Sequence, residues 1–275
     1  MKRLKTQLNF YINSNLHVAL AGYSLTRLTE IYYNLPQSFV PLFVALAIVV
    51  SYNFIRFYEV LHKQANWFQE WFLKNQYKVL FLSLGAFAGL IYLAFSKKIQ
   101  LNTLLVTLPF AFMTFFYVVP IRRLGNIVIS FRNFPGIKIL SIAIAWAGVT
   151  VFLPFINSEI KIDSFVWYIF LQQLVFLIVY TIPFDIRDVE LDSTDLKTLP
   201  QILGVLPTKI LSTILVFGWL FLSYKLTHTF NFTFLIIGFL LVLLTWFTTP
   251  NKNRFYTSFW VEAIPIYWLI LELFI

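Results

Sequence analysis

Long apolar runs alternate with short polar breaks along the whole chain. Nine runs are long enough to predict helices crossing a bilayer, near residues 15–33, 38–58, 77–96, 101–119, 137–156, 164–184, 207–226, 230–248 and 256–275. A span needs about 20 mostly apolar residues. The first run is the least regular, because Arg27 and Glu30 interrupt it; their i, i+3 spacing lets them pair on one face. The expected fold is therefore all-α: one domain over residues 1–275, with nine transmembrane helices in one bundle around a central cavity.

The charges between the runs test that count. With the N-terminus inside, sixteen Lys and Arg fall in inner segments and four in outer ones, with Arg27 inside a run. Cytoplasmic loops carry such an excess. The alternation predicts a cytoplasmic N-terminus, a C-terminus on the opposite face, and long cytoplasmic loops at 59–76, 120–136 and 185–206. The basic N-terminal stretch lacks the apolar core and small-residue site of a cleaved signal, so the first span is expected to direct insertion.

Composition agrees. The 275 residues are 59% hydrophobic and 20% aromatic but only 12% charged, against about 25% charged in soluble proteins. The net charge of +9 is spread between apolar runs, so it reads as orientation and lipid-headgroup attraction rather than a nucleic-acid surface. The absence of cysteine excludes disulfides and thiolate metal sites. The histidines His17, His62 and His228 have no ligand spacing.

One polar stretch stands out. FDIRDVELDSTDLKTLP, residues 184–200, holds five of the twelve acids: Asp185, Asp188, Glu190, Asp192 and Asp195. If the preceding helix continues, Asp185, Asp188, Asp192 and Asp195 share an arc of about 80° while Glu190 points elsewhere. Carboxylates so placed repel one another and call for a cation. Mg²⁺ suits an all-oxygen set completed by substrate phosphates, with Arg187 and Lys197 beside it to meet a diphosphate. The plainer reading is a solvated acidic loop that pairs with Arg187 and Lys197.

RDVELD followed by LKTLP resembles the second aspartate-rich motif of the UbiA-type intramembrane prenyltransferases. Asp188 and Asp192 match the aspartate pair, Lys197 and Thr198 the downstream polar residues, and Asp185 is an extra acid one turn earlier. The glycine many members carry in the spacer is missing. Nine spans with functional loops inside extend the resemblance over nearly the whole chain. It implies Mg²⁺ at Asp185, Asp188 and Asp192 and a prenyl diphosphate clamped between this loop and the one after the second span, its chain in an apolar cavity open to lipid.

The first motif of that family, Asn-Asp-x-x-Asp-x-x-x-Asp, is degenerate here. Asn53 is kept, but Phe54, Phe57 and Leu61 replace the aspartates. Arg56 can contact phosphate directly, or snorkel to headgroups. In the third inner loop the resemblance implies substrate contacts from Tyr117, Arg132 and Lys138, with positive-inside topology as the alternative for its cations. Glu262, in the last run, is an intramembrane carboxylate and so a functional candidate.

These expectations converge on Mg²⁺-dependent prenyl transfer from a prenyl diphosphate to a hydrophobic acceptor, in a bilayer such as a bacterial inner membrane. A UbiA-type terpene cyclase and a non-catalytic isoprenoid- or lipid-binding homologue are the alternatives.

Overall fold

The computed structural model describes residues 2–62, 68–120, 122–124, 127–129, 136–229 and 231–274. Each of the nine apolar runs forms a helix: α2 (Leu16–Tyr32), α3 (Val40–Leu61), α4 (Gln69–Phe95), α5 (Leu101–Val118), α6 (Lys138–Asn157), α7 (Ser164–Asp188), α9 (Val205–Thr227), α10 (Phe232–Trp246) and α11 (Tyr256–Phe274). A short helix α8 (Leu199–Leu203) precedes α9, and a polar helix α1 (Lys2–Asn13) precedes α2. The only strands among the described residues pair Arg122–Leu124 antiparallel with Ile127–Ile129.

Among the described residues, seven helices are long and apolar enough to cross a membrane. They identify a multi-pass membrane protein. The remaining two helices fall short of the nine expected spans. α2 has 17 residues and α10 has 15, or roughly 25 and 22 Å at 1.5 Å per residue against a hydrocarbon core of about 30 Å. Phe81, Phe95, Phe112, Phe217 and Phe239 are exposed on the outer faces, as lipid-facing side chains should be.

The loop expectations also shift. α3 runs on to Leu61 and α4 starts at Gln69, so the 59–76 loop shrinks to a linker in which 63–67 lie outside the described residues. The 185–206 loop is helical as far as Asp188, then turns through a 3-10 segment, Thr194–Leu196, into α8. Polar spacing alone does not separate a loop from a helix that protrudes beyond lipid.

The core is a dense aromatic and aliphatic cluster. Phe176, Trp219, Phe234 and Trp268 meet with ring centroids 5.1–5.5 Å apart, a favourable spacing for edge and tilted contacts. Glycine allows two close approaches. A Cβ on Gly22 would overlap Ile48, and one on Gly148 would overlap the Phe110 ring. Both α6 and α11 contain a π-helical turn, Gly148–Phe152 and Tyr256–Val261. Each turn ends shortly before a proline, Pro154 and Pro265. A proline cannot donate to the carbonyl four residues back, here Thr150 and Val261, and a widened turn accommodates the missing bond.

Hydrogen bonds orient the bundle. Asn15 at the start of α2 meets Asn53 near the end of α3, while Tyr32 at the end of α2 meets Glu272 at the end of α11. The starts of α2 and α11 therefore share one end with the end of α3. The end of α7 and the start of α6 join them there, because Asn251 N before α11 donates to Arg187 O at 2.9 Å and Lys138 meets Asp185 at 3.0 Å.

Candidate functional site

That shared end holds a cavity of about 300 Å³, at the lower edge of ligand-pocket size. Each wall is one stripe of a helix. α3 offers Tyr52, Arg56 and Glu59; α6 offers Lys138, Ile142 and Ala145; α11 offers Ser258 and Glu262. These i, i+4, i+7 spacings follow directly from helical periodicity. α5 adds Met113 and Tyr117, and α7 adds Leu177, Tyr180, Asp185 and Asp188. Pro183 interrupts the hydrogen-bond ladder of α7 one turn before its charged tip.

The acidic stretch behaves as expected only in part. Helical bonding continues one turn past α7, since Asp192 N donates to Asp188 O at 2.8 Å. Asp185, Asp188 and Asp192 therefore all line the cavity. The chain then leaves the helix. Asp195 is exposed and bonds locally with Ser193, and Glu190 accepts from Asn251.

The three aspartates are already matched with cations. Lys138 Nζ lies 3.0 Å from Asp185 Oδ1 and 2.6 Å from Asp192 Oδ2. Arg187 forks onto Asp188, Nε to Oδ1 at 2.8 Å and Nη2 to Oδ2 at 2.5 Å, and its third nitrogen donates to Thr257. Arg254 approaches Asp188 at 3.9 Å. Burial lowers the Arg254 guanidinium from its ordinary value, and Asp188 raises it. Arg56 pairs with Glu59 at 3.1 Å and lies over the Phe68 ring.

These contacts decide how a magnesium ion would fit. The oxygens of Asp185 and Asp192 do converge, but on the Lys138 ammonium, and both oxygens of Asp188 face Arg187. No group of three Asp, Glu or His converges among the described residues. The residues as arranged do not fit the expected Mg²⁺.

The remaining expected residues divide. Arg56, Tyr117, Lys138 and Arg187 line the cavity. Asn53 does not; it is buried, with Oδ1 accepting from Asn15 at 2.7 Å and Nδ2 donating to Ser83 at 3.1 Å. Its place in a helix-end polar run suits a packing bridge as well as a ligand contact. Lys197 is exposed, sits at φ 47° beyond the 3-10 turn, and is not part of the lining. Arg132 lies outside the described residues.

Sequence reasoning missed Arg254 and Ser258. The signal was present: Arg254, Ser258 and Glu262 recur at i, i+4 and i+8, a single helical stripe. Glu262 lies about two turns beyond Arg254, and among the described residues its carboxylate has neither a hydrogen bond nor an ion pair. Its field reaches α1, where the Tyr11 phenol is raised by burial and then by Glu262.

The cavity is therefore amphiphilic. One end carries Arg56, Lys138, Arg187 and Arg254 interleaved with carboxylates, and the walls beyond are formed by Tyr52, Met113, Ile142, Trp146, Leu177 and Tyr180. No protein-family model matches the chain, and comparisons with curated proteins and with solved structures gave no match either.

Proposed function

We propose that this chain is a UbiA-type intramembrane protein that takes a prenyl diphosphate into the cavity and transfers the prenyl group to a hydrophobic acceptor. The observation that carries the reading is that Arg56 of α3 faces Lys138, Asp188 and Asp192 across one cavity with apolar walls. An amphiphile with an anionic head and an isoprenoid chain matches that division. Arg56, Lys138 and Arg254 would meet the diphosphate oxygens and stabilise them as the allylic C–O bond breaks. Tyr52, Trp146 and Tyr180 would flank the developing carbocation with aromatic faces. The acceptor carbon bonds to the prenyl carbon and releases a proton.

A second reading is favoured by the Lys138 and Arg187 contacts. With its aspartates matched internally, the site holds an isoprenoid without turning it over. Incubating the purified protein with farnesyl or geranylgeranyl diphosphate, with and without quinone-type or lipid acceptors, separates the readings. Acceptor-dependent diphosphate release is the expected result. Release without acceptor indicates cyclisation, and binding without release indicates a carrier. Neither binding nor release would remove the isoprenoid reading altogether.

The nine-span topology with a cytoplasmic N-terminus belongs to the same proposal. The chain has no cysteine, so single cysteines introduced at Thr194 and at Lys161 report their sides cleanly to a membrane-impermeant thiol reagent. Thr194 should label from the cytoplasm and Lys161 from the opposite face.

A further inference from the structure

We infer that Lys138 is the built-in counter-cation of the Asp185–Asp192 pair and keeps divalent cations off it. The contacts are short on both sides, at 3.0 and 2.6 Å, and the three side chains are largely buried, at 16% exposed for Lys138, 4% for Asp185 and 18% for Asp192. Lys138 opens α6. The segment before it is fixed by Gly136, whose N–H donates to Leu196 O at 2.9 Å. The loop that carries Asp192 and the segment that leads into α6 are thus bonded to each other, which holds the ammonium where the two carboxylates meet.

An ammonium and a divalent ion compete for that point. With Lys138 present, an incoming ion meets a positive charge within about 3 Å of its ligands and repulsion opposes it. Without Lys138, two carboxylates remain with no counter-charge, and hard divalent cations take such oxygen sets. Asp185 adds a further donor, because its Oδ2 is buried and has no partner. Asp188 contributes nothing while Arg187 occupies both its oxygens. The inference stands on these contacts and does not depend on which amphiphile fills the cavity.

Manganese alone is the probe, added to chelator-stripped protein in detergent and read by electron paramagnetic resonance and by thermal unfolding. The wild type should show no saturable Mn²⁺ binding that Asp192→Asn removes. Lys138→Ala should gain a single Mn²⁺ site at least about tenfold tighter than any wild-type binding. Mn²⁺ should raise the unfolding temperature of Lys138→Ala but not that of the wild type, and Asp192→Asn in the Lys138→Ala background should abolish both effects. A wild-type site lost in Asp192→Asn overturns the inference, as does a folded Lys138→Ala protein that gains no Mn²⁺ affinity. Should Lys138→Ala fail to fold, the wild type and Asp192→Asn compared directly decide the matter.

Discussion

The two ends of the bundle each bury a carboxylate, and they use it in opposite ways. At the end away from the cavity, Glu30 is 1% exposed and fully engaged. It accepts from Arg27 at 2.6 Å and from both the backbone and the hydroxyl of Ser38. Nearby, Tyr32 bridges Glu272 and Trp268, and the space left beneath measures only about 20 Å³. At the cavity end, Glu262 faces about 300 Å³ and bonds to no side chain among the described residues. Polar groups at the closed end hold helices together. Those at the open end border a space that a ligand can enter, and only there does charge exceed what packing needs.

The largest expected effect breaks the charge balance of the open end. Arg187→Ala removes the fork on Asp188 and the bond to Thr257, leaving a half-buried carboxylate that Arg254 approaches at 3.9 Å. Such losses cost roughly 3–5 kcal/mol, and unfolding in detergent should show it. At the closed end Glu30→Ala should cost about 2–3 kcal/mol, because three hydrogen bonds to a charged acceptor disappear. If Glu30→Ala were neutral, the closed end would not be held by its polar groups and the contrast would fail.

The sequence made the open end legible unevenly, for physical reasons. Apolar run length located a helix at each of the nine runs, because the bilayer enforces that pattern. Seven of the helices at those runs are long enough to cross a bilayer, while α2 and α10, at 17 and 15 residues, are shorter than a full span. Run length missed α1, whose residues carry no apolar run. The acidic stretch pointed to Asp185, Asp188 and Asp192 because helical periodicity gathers them. The counter-cation of Asp185 and Asp192 was not legible, since Lys138 lies 54 residues before Asp192 and only tertiary packing delivers it, whereas Asp188 pairs with its neighbour Arg187 as the plainer reading of the loop had it. Asn53 misled for the converse reason. A motif residue and a helix-bridging amide look alike until the partners Asn15 and Ser83 are known.

Asn53 supplies the next smaller effect. Asn53→Ala loses the bonds to Asn15 and Ser83 and should cost about 1–2 kcal/mol. Binding of a prenyl diphosphate, followed by calorimetry, should stay unchanged, since the side chain is not in the lining. A loss of affinity without loss of stability would return Asn53 to the site.

The smallest effect on stability is expected at Glu262, and it is the most informative. Glu262→Gln keeps the shape and removes the charge. No side-chain bond is lost among the described residues, so the change in unfolding free energy should stay within about 0.5 kcal/mol. The ligand should respond instead. Measured in alkaline solution, where Glu262 is ionised, removing its negative charge lowers the repulsion that a diphosphate head would meet on entry, and prenyl diphosphate affinity should rise about threefold or more. The corresponding prenyl alcohol, which carries no charge, should bind the two proteins alike. A destabilisation as large as that of Glu30→Ala would mean that Glu262 is a packing group after all. An equal gain for alcohol and diphosphate would mean that the effect is steric, and the charge at the open end would then have no part in choosing the ligand.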